Sequence, residues 1–242
     1  MSAERTERRL ERRRFLGLPK YSLGEEIFSA VSHGVSALFA VAALVLLLVF
    51  CEKTPKKVVS VAIYGATMIL LYTISTIYHA LGLNKAKVVF RSLDHCTIFL
   101  LIAGTYTPVT LVCLGGAWGW SLFGVVWGAA VLGVVLNAVS VEKFKIVSMI
   151  CYLAMGWVVV IAMKPVMENL NSVGFWCLLA GGLCYTAGAI LYGVGKKIPY
   201  IHSVFHLFVL AGSVLHTICV YQIVKYHLPR KNPPVIRGDF LL

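Results

Sequence analysis

Seven apolar runs, each roughly 20 residues long and joined by short connections, leave this chain few ways to fold. They cover about Phe28 to Cys51, Val58 to Gly82, Leu93 to Leu114, Trp118 to Ser140, Ile146 to Met163, Val173 to Gly195 and Tyr200 to Tyr226. A helix of that length crosses a hydrocarbon core of about 30 Å. Backbone groups in lipid must be satisfied within their own segment, which favours helices. The alternating pattern of a membrane barrel is absent from the runs. Composition agrees, with 59% hydrophobic and 13% charged residues in a chain of 242, against about a quarter charged in soluble domains. The expected fold is all-α, an integral membrane seven-transmembrane-helix bundle. The short connections predict antiparallel neighbours.

The net charge of +12 would suggest nucleic-acid binding in a soluble protein. Here the basic residues lie mostly before and between the apolar runs, where they orient membrane helices, and no aromatic-and-basic surface of a nucleic-acid reader is visible. With the N-terminus cytoplasmic, 14 basic residues fall inside and 8 outside. Lys53, Lys56 and Lys57 argue the other way, but charges near the first helix weigh most. The expected topology is therefore N-terminus cytoplasmic and C-terminus outside, in a multi-pass cell (plasma or inner) membrane protein. Residues 1–24 read as a basic cytoplasmic N-terminal segment, 25–227 as the transmembrane domain and 228–242 as a C-terminal tail. The N-terminus lacks the short apolar core and cleavage site of a signal peptide. Its "RRLERRR" reads as a topology signal or a contact for anionic lipid. The seven cysteines form no CxxC and lie mostly in apolar runs, where cysteine acts as a small hydrophobe.

Polar residues converge at one depth. Glu26, Ser29 and His33 share a face at the inner end of the first run, at i, i+3 and i+7. Ser75 and His79 sit at the inner end of the second, Asp94 and His95 at that of the third, and "HSVFH" (His202 to His206) opens the seventh. Inverting the protein would move all four together. His79, His202 and His206 suit zinc: three imidazoles at about 2.0–2.1 Å leave a fourth position for water. A histidine pair at i, i+4 supplies two ligands from one side of a helix. Asp94 or Ser75 is placed to orient or deprotonate that water. This makes a candidate hydrolase site.

Blander readings stand beside this one. An isolated HxxxH is more often an ordinary interfacial pair. Ser75 can bond its own helix's carbonyl one turn back. His33 reads as a donor beside the ligands or as a helix-packing hydrogen bonder, and His95 as a packing or loop contact. His216, roughly 15 Å deeper at 1.5 Å per residue, reads as a helix–helix contact, and His227 as solvated.

Four stretches, "EEIFSAVSHG", "STIYHAL", "LDHCTIFLLIAGTYTPVTL" and "HSVFHLFVLAGSVLH", resemble the successive motifs of the hemolysin III family, the bacterial branch of the progestin and adipoQ receptor superfamily. The resemblance spans Glu25 to His216 and keeps the motif order. It implies a seven-helix membrane protein with zinc near the cytoplasmic face, held by His79, His202 and His206. It places Ser75 and Asp94 near the metal, and Glu26 and His33 in the first motif as supporting residues. Ser29 departs from the family's usual asparagine. The superfamily is similar to alkaline ceramidases, so the resemblance implies a metal-dependent hydrolase of a lipid amide or ester. Two alternatives stay open: a membrane receptor or signalling protein with structural zinc, and a pore-forming, hemolytic protein.

Overall fold

In the computed structural model, which describes residues 3–194 and 198–226, no strand occurs among the described residues. The helices are α1 (Ala3–Phe15), α2 (Leu23–Phe50), α3 (Pro55–Ala80), α4 (Lys85–Pro108), α5 (Gly116–Trp157), α6 (Met163–Asn169), α7 (Ser172–Val194) and α8 (Ile201–Tyr226). His227, the tail at 228–242 and Lys196 and Lys197 lie outside the described residues.

Local chemistry sets the helix starts. Ser22 caps α2 reciprocally: its hydroxyl accepts from the Glu25 N–H at 3.2 Å, and the Glu25 carboxylate accepts from the Ser22 N–H at 2.7 Å. Pro55 opens α3, where its missing N–H costs nothing. Asn84 caps α4 by accepting from the Lys87 N–H at 3.0 Å. Thus α4 begins eight residues before the apolar run at Leu93, and most of the expected "LNKAKVVFRS" loop is helix. At the other end of α4, Pro108 supplies no N–H. The chain continues as a π-helical turn, Val109–Leu114, which ends at Gly115 with φ +59°.

Among the described residues six helical stretches are long and apolar enough to cross a membrane, and the fourth, Gly116 to Asn169, carries both the fourth and the fifth apolar runs. Straight, those 54 residues would span about 81 Å, well over twice a hydrocarbon core of about 30 Å. The chain instead breaks at Ser140, whose φ −168° and ψ 108° are not helical. Asn137 and Tyr152 would be roughly 22 Å apart on a straight helix. The Asn137 amide in fact donates to the Tyr152 hydroxyl at 2.9 Å, and Ser148 donates to the Asn137 carbonyl oxygen at 2.7 Å. The fourth and fifth apolar runs are therefore two arms folded against each other, and the "VEKFK" connection between them is helical.

Successive helices pack as neighbours from α2 to α5, α7 packs on α8, and α8 closes against α2. Hydroxyls stitch this closure. Ser29 and Ser203 Oγ are 3.0 Å apart, Tyr72 donates to Ser213 at 2.6 Å, and Tyr64 and Thr217 hydroxyls lie 2.8 Å apart. Such bonds substitute for a hydrophobic drive that lipid does not supply between helices. Val41, Leu38, Val131 and Ile161 face outward, as lipid contact requires.

Gly104 sets the approach of α3 and α4. A Cβ there would lie 2.0 Å from Thr67 Oγ1 and 2.9 Å from Thr67 Cβ. Gly104→Leu is expected to push the helices apart at a cost of about 1–3 kcal/mol. The measurement is the unfolding midpoint in detergent, and a midpoint equal to wild type contradicts this packing.

Candidate metal centre

Closure of α8 on α2 and α3 brings residues from opposite ends of the chain together. His79 lies in the last turn of α3, and His202 and His206 lie in the first turns of α8. His79 Nε2 is 3.3 Å from His202 Nε2, which is 3.2 Å from His206 Nε2. All three side chains are buried. Three nitrogens bound tetrahedrally at 2.0–2.1 Å stand about 3.3 Å apart. The two separations match that edge, and the three imidazoles could hold a metal ion.

The surroundings hold the rings in place. Glu26 Oε2 accepts from His79 Nδ1 at 2.8 Å, which assigns the proton to Nδ1 and leaves Nε2 bare toward its partners. Tyr21 stacks on His202 with centroids 4.7 Å apart and 15° between planes. Burial pushes the Tyr21 phenol well above its usual range, so it stays neutral. His33 stacks on His206 at 3.5 Å and 11°.

Glu26 has further partners. Arg13 Nη2 donates to Oε1 at 2.5 Å, and Lys87 Nζ lies 3.2 Å from the same oxygen. Arg13 also donates to the Pro19 carbonyl at 2.6 Å, and Lys87 donates to the carbonyls of Tyr78, His79 and Leu81 at 2.6, 3.3 and 3.1 Å. Lys87 thereby caps the C-terminal end of α3, where carbonyls lack helical partners. Arg13 and Lys87 are 0% and 1% exposed. A cation buried so fully must be paired, and here both serve the carboxylate that holds His79.

Sequence reasoning missed Arg13, Lys87 and Tyr21. Arg13 was hidden in a basic run that serves topology equally well, and Lys87 fell in an expected loop. In α1, Arg13 is wholly buried while Arg8, Arg12 and Arg14 are exposed, a difference that only the packed structure shows. Among the described residues neither His33 ring nitrogen has a hydrogen-bond partner, and the ring packs by stacking. Ser75 does not bond its own helix: its buried Oγ has no hydrogen-bond partner among the described residues. His95 sits as a packing contact, 2.9 Å from the Arg91 carbonyl, and His216 bonds the Leu178 carbonyl at 3.1 Å. Ser29, in place of asparagine, is satisfied by Ser203.

A cavity of about 750 Å³ borders His202 and His206. Ser75, Asp94, His202 and His206 line one end, and Leu71, Ile98, Ile102 and Val209 form apolar walls beyond. Asp94 is buried, and its nearest ionic neighbour is His95 Nδ1 at 3.9 Å. Cover comes from the Gly17–Tyr21 linker, which Arg91 ties down by donating to the Gly17 carbonyl at 2.9 Å while pairing with Glu142.

Fold and site together define a multi-pass helical membrane protein in which three histidines that could hold a metal ion lie beside an apolar cavity. The chain belongs to the haemolysin-III related family, whose description it matches over residues 21–217. It is 42% identical to Hemolysin-3 of Bacillus cereus over 198 residues, 81% of this chain and 90% of that protein. It is 40% identical to the Hemolysin-3 homolog of Bacillus subtilis (strain 168) over 202 residues, 83% and 94% respectively. Identity to the human Monocyte to macrophage differentiation factor is 28% over 174 residues, 68% of each chain.

Proposed function

We propose that this protein is a zinc-dependent hydrolase of a lipid amide or ester in the cell membrane, with its site on the cytoplasmic side. The observation that carries the reading is the convergence of three Nε2 atoms, with successive separations of 3.3 and 3.2 Å, beside an apolar cavity that His202 and His206 line. His79, His202 and His206 hold the metal. Zinc bound by three neutral imidazoles supplies Lewis acidity toward a carbonyl and toward water. Glu26 fixes the His79 tautomer, while Tyr21 and His33 hold the other two rings in place by stacking.

Asp94 takes a proton from the attacking water, and Ser75 donates its hydroxyl to the oxygen that gains charge. The unpartnered Ser75 Oγ supports that role, because a buried hydroxyl without a partner costs about 1–3 kcal/mol. The apolar walls take the lipid chain and exclude competing water. Cleavage leaves a carboxylate on one product and an amine or alcohol on the other.

Metal analysis of purified wild type, His79→Ala and His202→Ala tests the ligand set. Wild type is expected to hold about one zinc per chain and both variants to lose it. Stoichiometric zinc in either variant, or none in wild type, removes the assignment. Turnover is read with amide and ester lipids in mixed micelles, before and after chelation.

A further inference from the structure

The cavity beside the histidines has a floor. Thr105, Tyr106, Gly156, Trp157, Gly182 and His216 line its far end and also line a second void of about 40 Å³. Val109, Val159, Met163 and Phe175 bound that second void with apolar surface. Measured along α8 from His206 to His216, the floor lies roughly 15 Å from the triad.

Hydrogen bonds fix this partition. The Trp157 indole N–H donates to Thr186 Oγ1 at 3.0 Å, from α5 to α7. The Tyr106 hydroxyl donates to the Gly156 carbonyl at 2.8 Å and accepts from the Val159 N–H at 3.0 Å, joining α4 to the chain after α5. His216 Nε2 donates to the Leu178 carbonyl at 3.1 Å, from α8 to α7. With these donors spent, Tyr106 and Trp157 are anchored on the far side of the cavity. Gly182 adds a place for a side chain on the same wall, since a Cβ there meets nothing within 4 Å.

We propose that this partition is a chain-length ruler: Trp157 and Tyr106 stop the end of an acyl chain whose polar head lies at the histidine triad. The proposal rests on the lipid reading above for what fills the cavity, and adds which residues select its length. Each methylene added up to the floor buries apolar surface and raises affinity roughly fourfold. A longer chain must bend or displace hydrogen-bonded rings in a packed interior, and affinity falls.

The test uses the full chain in one detergent, with radiolabelled palmitate displaced by saturated fatty acids of graded length. Fatty acids stand for the acid half of the substrate, and binding is read without turnover. Wild type is expected to show an optimum length. Trp157→Ala joins the two voids and is expected to move the optimum to longer chains. Gly182→Leu fills open space at the floor and is expected to move it to shorter ones. The opposite signs separate the ruler from a general loss of folding, which weakens all lengths alike. A wild-type optimum that neither variant moves overturns the ruler and leaves the lipid reading standing. Saturable binding in wild type with no optimum overturns the ruler alone, and no saturable fatty-acid binding overturns both.

Discussion

Glu26→Ala is expected to lower folding stability by about 3–5 kcal/mol, as removing one member of a buried ion pair does, and to weaken zinc retention about 10–100-fold. The carboxylate is 4% exposed and holds Arg13, Lys87 and His79 at once. Lys87 keeps three carbonyl partners without it, so most of the stability loss falls on Arg13. Arg13 keeps only the Pro19 carbonyl among its described hydrogen bonds. The Glu26→Ala, Arg13→Met double variant is therefore expected to recover part of the stability, because the stranded cation is gone. It should recover none of the metal affinity, because His79 Nδ1 still lacks its acceptor. Unfolding in detergent with and without chelator, combined with chelator competition, reads the two effects separately. Equal zinc affinity in wild type and Glu26→Ala would show that the carboxylate supports only the fold.

Asp94→Asn is expected to reduce lipid hydrolysis by about 10²–10⁴-fold while zinc content and the unfolding midpoint stay at wild-type values. The side chain borders the same cavity as His202 and His206 and is not among the converging ligand atoms. The amide keeps the shape but takes no proton from water at neutral pH. Loss of metal in Asp94→Asn would instead make it a ligand or a prop of the site, and unchanged turnover would remove it from the chemistry.

The helical class was legible because apolar runs long enough to cross a bilayer admit little else. The break at Ser140 also lay near an expected boundary between runs. What the hydrophobic pattern could not show was that helix continues through polar connections. "VEKFK" and the stretch from Lys85 to Ser92 are polar by composition, yet their backbone is helical because caps and neighbours satisfy it. Boundaries read from apolarity mark where lipid contact begins, and a helix can extend well past that point.

The histidines were legible by depth. Topology places His79, His202 and His206 at one end of the bundle, and spacing puts the last two on one face. The ring around them was not legible. Arg13 precedes the first apolar run, Lys87 lies between two others, and their joint use of Glu26 depends on how α1 and α4 meet α2. His33 shares a motif with Glu26 but meets the site by stacking, which no spacing rule anticipates.

By itself the sequence determined an all-helical membrane protein with three metal-suited imidazoles at one depth, because helix length and residue order are one-dimensional properties. Tertiary structure decided the rest: the close nitrogen separations, the three-partner grip on Glu26 and the cavity with its floor. Those depend on distances between helices far apart in the chain, which follow from the packing of α8 against α2 and α3 and from no local pattern.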